Sequence, residues 1–162
     1  MYLQRKLSES LTLFKNKNLF CSYKQKSTHR YTTTVGVGGN LGDTKRTIEH
    51  LIFFFKRDHR VALLEVSSLL KNPPFGYKDQ KDFYNCVIKL QVSMRPIEFL
   101  DYLMRVEKRF KRKRSFANAP RTLDLDIIFF NNEIVKKQNL TIPHANWSER
   151  ESVVIPLSEL KS

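Results

Sequence analysis

Two aspartates stand two residues apart in the most core-like stretch of the chain, TLDLDIIFF, residues 122–130. Side chains alternate between the two faces of a strand, so Asp124 and Asp126 point to the same face, with Cβ atoms roughly 6 to 7 Å apart. Leaving both carboxylates without partners inside a core would be costly, so either cations neutralise them or they face solvent. Such a spacing suits the ions of a two-metal site, and magnesium combines carboxylate oxygens with substrate phosphates. The pair therefore predicts magnesium-assisted phosphate chemistry, with a solvated strand face as the alternative.

The residues around this pair favour the first interpretation. Arg112, Arg114 and Arg121 precede it, and arginine is a common clamp for charge that develops on a transferred phosphoryl group. His144, after a proline, is a further candidate donor, although a single histidine is more often structural. The sequence contains no GxxxxGK[ST] motif, and GVGGNLG, residues 36–42, departs from GxGxxG by one position. We therefore interpret residues 38–42 as a turn, and expect phosphates to be held without a glycine-rich cradle.

Composition limits the remaining function classes. The chain has 162 residues, suits one domain, and carries a formal net charge of +13, which indicates an anionic partner such as a nucleic acid, a membrane surface or a polyphosphate. No apolar run reaches the roughly 18 residues of a membrane span. Cys21 and Cys86 form no motif, so we expect ordinary free thiols in a reducing compartment.

The pattern of apolar residues and turn signals predicts an α+β fold. From Tyr31 onward it gives strand, helix, strand, strand, helix, strand, over residues 31–38, 44–58, 60–70, 82–94, 96–110 and 122–130. Either Asp43 or Thr44 can cap the first helix, and one more short helix is expected within residues 143–160. The β-α-β-β-α-β order is that of the ferredoxin-like fold, an antiparallel sheet with helices packed on one face.

Residues 1–30 form the second part of the predicted domain organisation. They are basic and poor in acidic residues, with no clear period apart from a candidate short amphipathic helix in LTLFKNKNLF, residues 11–20. We therefore expect a basic N-terminal extension that is disordered or loosely packed and dispensable for the chemistry, followed by one domain over residues 31–162.

Five stretches, taken together, resemble a known family. They are GVGGNLGD, NPPFGYKDQKDFYN, VEKRFKRKR, APRTLDLDIIFF and LTIPHANWSERESVVIPL, residues 36–43, 72–85, 106–114, 119–130 and 140–157. Their order is similar to that of the 6-hydroxymethyl-7,8-dihydropterin pyrophosphokinases of folate biosynthesis. The resemblance implies a transferase that moves a diphosphate from ATP to the hydroxymethyl group of the pterin and releases AMP. It also implies two magnesium ions as cofactors.

The resemblance assigns a role to individual residues. As catalytic residues it implies Arg112, Arg121, Asp124 and Asp126, of which the two aspartates are also the metal ligands. For ATP it implies Leu100, Glu107, Arg114, Arg121, Ile127, Asn139, Thr141, His144 and Arg150. For the pterin it implies Asn72, Pro73, Phe75, Phe83 and Asn85.

Three features depart from the family pattern. Asn118 and Ala119 stand where members often have tryptophan and glycine, and the loop from Lys111 to Ala119 is about one residue shorter. Ser152 stands where many members have a phenylalanine that stacks on the pterin. None of these departures removes a candidate metal ligand or phosphate clamp.

Two rival functions share part of this pattern. A basic ferredoxin-like domain can bind RNA through aromatic residues in a dedicated sheet motif, but the chain has no such motif. A two-metal nuclease would share the aspartates but not the NPPFG and FYN elements. We therefore expect ATP and the pterin as partners, with no nucleic acid and no membrane, and a monomeric, cytoplasmic enzyme.

Overall fold

The computed structural model describes residues 1–23, 27–113 and 115–161. The strands of the main sheet are Leu3–Lys6 (β1), Thr12–Lys15 (β2), Tyr31–Gly39 (β3), Val61–Val66 (β4), Leu69–Asn72 (β5), Phe83–Val92 (β6) and Asp124–Phe130 (β7). A separate hairpin is formed by Val135–Lys137 (β8) and Leu140–Ile142 (β9). The helices are Thr44–Arg57 (α1), Pro96–Arg109 (α2) and Glu151–Ser158 (α3), with a 3-10 turn at Trp147–Glu149. Within the described ranges, no helix has the length and apolar character that crossing a membrane requires.

The sheet is antiparallel and is organised around β6. This strand pairs with β3, β4 and β5, while β3 also pairs with β7. Counted from β3, the elements follow the β-α-β-β-α-β order when β4 and β5, which both pair with β6, are counted as one interrupted strand. The predicted α+β, ferredoxin-like fold is therefore confirmed.

The core lies between this sheet and the first two helices. Helix α1 begins after Asp43, whose carboxylate accepts a hydrogen bond from the Arg46 N–H at 3.3 Å, so this residue is the cap. Both helices bury apolar residues at helical spacing, namely Ile48, Leu51, Ile52 and Phe55 on α1 and Phe99, Tyr102, Leu103 and Val106 on α2. Helix α3 packs against β5 and β6. Its residues Ser152 and Val153 line a cleft on the sheet face opposite to α1 and α2. The expectation of helices on one face therefore holds for α1 and α2 and not for α3.

Two local expectations are wrong. Residues 60–70 are not one strand, because Ser67 interrupts the ladder: its N–H donates to Val87 O at 3.0 Å and its hydroxyl accepts from Val87 N at 2.9 Å. Residues 38–42 are not all turn, because Gly38 and Gly39 still belong to β3. Within residues 38–42, only Gly42, with φ of 75°, has the left-handed conformation of a tight turn.

The N-terminal residues are packed, contrary to the expectation of a loose extension. Strands β1 and β2 form a hairpin that continues the sheet beyond β5, and residues 12–15 are strand rather than helix. Leu11, Phe14, Leu19 and Phe20 are buried. These apolar residues do not alternate as on a strand, so the sequence pattern did not reveal the hairpin. A domain boundary after residue 30 stays a prediction.

Candidate active site

The two aspartates lie on the sheet face that α1 and α2 leave uncovered. Asp124 pairs with Gly38 across β3 and β7, and Gly38 pairs with Asn85 on β6. Asp126 is in the next such row, opposite Gly36. Leu125 and Ile127, between and after them, are buried in the core on the other face. The alternation predicted from the sequence is therefore confirmed, and both carboxylates line one cleft.

Glycines of β3 make room for this cleft. A Cβ on Gly38 would lie 2.3 Å from Asn85 Oδ1, and a Cβ on Gly39 would lie 2.6 Å from the backbone oxygen of Thr122. The second contact cannot be relieved by a side-chain rotation, because the atom belongs to the backbone. Glycine at position 39 therefore lets the segment before β7 pass close to the end of β3, and this segment carries Arg121.

Arg112 connects Asp124 to the buried Glu107. Its Nη1 donates to Asp124 Oδ1, and lies 3.2 Å from Glu107 Oε1. Glu107 Oε1 also accepts from the Leu125 N–H at 2.9 Å, which fixes the carboxylate against β7. Burial alone would lower the pKa of Arg112, but the carboxylates of Asp124 and Glu107 raise it, so the guanidinium stays charged. Arg121 Nε completes the cluster at 3.4 Å from Asp124 Oδ2.

The surroundings of Asp126 disfavour its ionised form. Burial, and then the neighbouring carboxylates of Asp124 and Glu107, raise its pKa to about 7 against the opposing effect of Arg150 and Arg112. The same environment acts on His144, whose pKa is lowered first by burial and then by Arg150. Additional positive charge in the cleft would therefore favour an ionised Asp126.

Several nitrogen atoms around the aspartates are buried without a hydrogen-bond partner. Among the described residues they are Arg112 Nε, Arg121 Nε, Arg150 Nε and the His144 ring atom Nδ1. Most buried polar groups in folded proteins are hydrogen-bonded. Nitrogen atoms that lack a hydrogen-bond partner, on residues that line or adjoin one cleft, therefore indicate a ligand with acceptor oxygens. Three of the four belong to guanidinium groups, which match the geometry of phosphate.

The other end of the cleft is aromatic. Phe83 is buried, and the guanidinium of Arg121 lies 4.8 Å from its ring centroid. Phe75 is 65% exposed, and Arg150 lies 5.3 Å from its ring centroid. Two amides line the same cleft, where Asn85 Nδ2 donates to Asn72 Oδ1 at 2.6 Å. Ring faces beside amide groups suit a flat heteroaromatic molecule with polar edges.

The structure brings most of the predicted site residues together. The cleft is lined by Asn72, Phe75, Phe83, Asn85, Arg121, Asp124, Asp126, His144 and Arg150. Arg112 and Glu107 join it through their bonds to Asp124 and Leu125.

The remaining predicted residues that the structure describes do not line the cleft. Pro73 is exposed beside Asn72, Leu100 packs against the core from α2, and Ile127 is buried in the core. Asn139 and Thr141 are exposed at the β8–β9 hairpin. Arg114 lies outside the described residues. Their roles toward ATP or the pterin stay predictions.

Asn40 is a site residue that sequence reasoning missed. It is 4% exposed, its Oδ1 accepts from Arg121 N at 3.1 Å, and its own N–H donates to Arg121 O at 3.0 Å. Its Nδ2 donates to Gln80 Oε1 at 2.9 Å, which ties the loop before α1 to the loop before β6. The only sequence signal was its position within the glycine cluster. Gly36, Ile128, Ser152 and Val153 also line the cleft.

An antiparallel α+β domain with this cleft has the features of an enzyme that binds a polyphosphate beside a flat ring. Comparison with protein families identifies it more closely. Residues 34–162 match the family described as 7,8-dihydro-6-hydroxymethylpterin-pyrophosphokinase. Because the match covers more than half of the chain, the chain belongs to this family, whose activity is a pyrophosphokinase step of folate biosynthesis.

Individual relatives agree with this assignment. The chain is 38% identical over 138 residues to 2-amino-4-hydroxy-6-hydroxymethyldihydropteridine pyrophosphokinase of Helicobacter pylori, covering 84% of this chain and 85% of the relative. It is 38% identical over 128 residues to the protein of the same name in Campylobacter jejuni, with coverages of 79% and 82%. The Bacillus subtilis protein of that name is 32% identical over 126 residues, with coverages of 78% and 75%.

Proposed function

We propose that the chain transfers the diphosphate of ATP to the hydroxymethyl group of 6-hydroxymethyl-7,8-dihydropterin. In this reaction the pterin hydroxymethyl oxygen forms a bond to the β-phosphorus of ATP. The bond from the β-phosphorus to the oxygen that bridges it to the α-phosphorus breaks, and AMP leaves with that oxygen. The proton of the hydroxymethyl group is released. One observation supports this most directly. Arginine nitrogens without a hydrogen-bond partner, two neighbouring aspartates and aromatic side chains occur together in one cleft.

We infer that Asp124 and Asp126 hold magnesium ions. The surroundings of Asp126 fit a bound cation, because its burial beside two other carboxylates raises its pKa to about 7. A divalent cation would relieve this electrostatic strain. Oxygen ligands are also the type that magnesium prefers. Two bound ions would neutralise charge on the phosphate oxygens of ATP. Among the described residues no third histidine, cysteine or acidic side chain completes a metal site, so water and substrate oxygens would supply the other ligands.

The arginines position the phosphate chain. Diphosphate transfer needs in-line placement of the reacting groups and neutralised charge rather than a protein nucleophile. Arg112 and Arg121 already contact Asp124, so their guanidinium groups lie beside the carboxylates that would face the metal-bound phosphates. Arg150 and His144 also line the cleft, and each has a nitrogen atom without a hydrogen-bond partner. We assign Arg112 and Arg121 to catalysis and Arg121, His144 and Arg150 to ATP binding.

The pterin occupies the aromatic end of the cleft in this proposal. Phe83 and Phe75 offer ring faces, while Asn72 and Asn85 offer amide groups for the polar edge of the pterin. Ser152 leaves the α3 side of the cleft without a large side chain. The cytoplasmic location, the monomeric state and the ATP roles of Leu100, Ile127, Asn139 and Thr141 remain predictions.

The test is product analysis by chromatography. Purified protein is incubated with ATP and magnesium, with and without the hydroxymethyl dihydropterin, and with EDTA in place of magnesium. We expect AMP and pterin diphosphate in equal amounts, formed only when both the pterin and magnesium are present. Formation of ADP, or AMP release at the same rate without the pterin, would contradict the proposal. Full turnover in EDTA would contradict the magnesium assignment alone.

A further inference from the structure

The N-terminal segment, residues 1–23, contacts the rest of the chain at several points, one of which adjoins the candidate active site. Residues 1–23 precede residues 34–162, which the family model matches, so no role for them follows from the family. Tyr2 donates a hydrogen bond from its hydroxyl to the Glu49 carboxylate on α1. The Phe14 ring on β2 lies 5.9 Å from the Tyr84 ring on β6, measured between centroids. The segment is therefore attached both to the first helix and to the central strand.

Lys45 lies where these elements meet. Its Nζ is 3.7 Å from the ring centroid of Phe14, 5.2 Å from that of Tyr2 and 5.4 Å from that of Tyr84. A cation within about 6 Å of an aromatic centroid is attracted by the ring. Tyr2, Phe14, Lys45 and Tyr84 together are called the Lys45 junction below. Two of its three rings come from the N-terminal segment.

The Lys45 junction adjoins the loop that holds Arg121. Lys45 is the second residue of α1, directly after the Asp43 cap and Thr44. The loop that leads into this helix donates two hydrogen bonds to Arg121 O, from Asn40 N at 3.0 Å and from Leu41 N at 3.1 Å. A shift of the first turn of α1 would therefore be transmitted through a few residues to the backbone of Arg121.

The junction also adjoins the aromatic end of the cleft. Tyr84 lies between Phe83 and Asn85 on β6, and side chains alternate along a strand. The Tyr84 side chain thus belongs to the Lys45 junction on one face of the sheet, while the side chains of Phe83 and Asn85 line the cleft on the other face. Fixing the Tyr84 ring fixes the start of β6, and with it the position of both neighbours.

We propose that Lys45 is a positioning residue for the reaction, and that the N-terminal segment is a working part of the active site rather than an appendage. The two rings of the segment hold the ammonium group of Lys45 against Tyr84. This contact sets the loop of Asn40 and Leu41 and the start of β6 relative to each other. The inference rests on the proposed function, because it takes Arg121 and Phe83 as substrate-binding residues.

The test compares three full-length variants. Lys45→Met keeps a long side chain against the rings and removes the charge, whereas Lys45→Arg keeps a cation there. Lys71→Met is the matched control, because Lys71 pairs with Tyr84 across β5 and β6 and its charge acts on Lys45, yet it makes no ring contact of its own in the junction. Loss of one such contact changes an equilibrium by about fivefold. We expect Lys45→Met to raise KM for the pterin and for ATP by about that factor, and Lys45→Arg to restore both.

Hydrogen exchange separates positioning from simple stabilisation. In folded Lys45→Met protein, the amides of Asn40 and Leu41 should exchange faster than in the parent chain, while Lys71→Met leaves them unchanged. Phe14→Leu provides a second route, because it removes the nearest ring but keeps an apolar side chain, and it should give the same increases in KM and exchange.

The outcomes also distinguish this inference from the proposed function. If Lys45→Met and Phe14→Leu lower Tm but leave both KM values and the exchange of Asn40 and Leu41 unchanged, the junction only stabilises the fold and the inference is wrong. An inactive parent chain would instead contradict the proposed function.

Discussion

Arg112 donates hydrogen bonds to several acceptors at once, and this limits which residues could replace it. Its Nη1 donates to Asp124 and lies near Glu107 Oε1 and Leu123 O, at 3.2 and 3.4 Å. A guanidinium presents five N–H donors in a fixed plane, whereas an ammonium group is a single point of charge. A single nitrogen of this plane, Nη1, thus connects the buried glutamate and the cleft aspartate.

Arginine-to-lysine exchanges test this geometry. Arg112→Lys and Arg121→Lys keep the charge but lose the planar fork, so we expect kcat to fall by about 10²-fold or more in each. Arg109→Lys is the matched control: Arg109 lies in the last turn of α2, three residues before Arg112, and its guanidinium contacts the Phe54 ring. Steady-state kinetics at saturating substrates measures the effect. Normal kcat in both cleft variants would exclude the proposed clamp.

Asp126 predicts a specific dependence of stability on pH in metal-free buffer. Its pKa is raised to about 7 in the folded protein, above the ordinary value of 3.8, so between these values the folded state binds more protons than the unfolded state. The free energy of unfolding contributed by this group is therefore fully present below pH 4 and is lost as pH rises through 7.

Urea unfolding at several pH values in EDTA measures this dependence. Asp126→Asn should flatten the fall in stability between pH 4 and 7 and should make the protein more stable than the parent chain at pH 8. The same variant should lose several orders of magnitude in turnover if Asp126 binds the metal. An unchanged pH profile in Asp126→Asn would show that another group causes the fall.

At the residue scale, the sequence predicted what depends on local spacing. The shared face of Asp124 and Asp126 followed from strand alternation, and the nearby arginines followed from their position in the chain. The bonds of Asn40 to Arg121 and Gln80 could not be predicted, because they join residues about 80 and 40 positions apart. Such contacts are fixed by tertiary packing and leave no local pattern.

At the scale of elements, the helices and long strands were predicted well because their apolar residues repeat with a clear period. The break at Ser67 was missed because serine there replaces a ladder bond with side-chain bonds, which hydrophobic patterning does not detect. The N-terminal hairpin was missed for a different reason. Its strands have four residues each, and β1 is wholly exposed, so neither shows an alternating apolar face.

Removal of residues 1–30 should destabilise the protein. The segment buries Leu11, Phe14, Leu19 and Phe20, and burial of a large apolar side chain contributes roughly 1.5 to 3 kcal/mol, an upper estimate. We expect a loss of about 3 kcal/mol or more in the free energy of unfolding, measured by urea titration. Arg5→Ser is the control, because Arg5 is exposed on the edge strand. An unchanged unfolding midpoint in the truncated chain would show that the hairpin packs without stabilising.

The loop after α2 should respond to the nucleotide. Phe116 is 57% exposed and meets Tyr77 edge to face at 5.3 Å, and Gln80 Nε2 donates to Asn118 O at 2.9 Å. These contacts link the loop to the segment that carries Phe75. If the loop closes over the cleft, this segment should therefore close over the cleft with it. Phe116→Ala should raise KM for the pterin about fivefold and change Tm little, consistent with loss of one aromatic contact.

Hydrogen exchange over residues 115–119, with and without magnesium and a non-hydrolysable ATP analogue, tests the closure itself. We expect slower exchange with the analogue, because the nucleotide supplies negative charge to a basic loop. Equally slow exchange in both states would mean that the loop is already closed without the nucleotide.

At the scale of the whole molecule, the two faces of the sheet have different roles. One face packs on α1 and α2 and supplies stability, while the other carries the charged and aromatic residues of the cleft. The formal net charge of +13 adds a general attraction for anions that is separate from this cleft. Any test of ligand binding must therefore distinguish the cleft from the surface charge.

Thermal unfolding at two salt concentrations makes this distinction. A ligand at 100 times its Kd stabilises by about 2.7 kcal/mol, which corresponds to a rise in Tm of roughly 5 to 10 °C for a domain of this size. We expect magnesium and ATP together to give such a rise, with most of it kept in 0.5 M salt, because the donors that receive the phosphates are buried and weakly screened. A single-stranded oligonucleotide should give a smaller rise that disappears in the same salt, since it binds the exposed charges. Asp124→Asn should remove the part of the ATP effect that requires magnesium. A rise with the oligonucleotide that persists in high salt, and none with magnesium and ATP, would instead favour nucleic-acid binding.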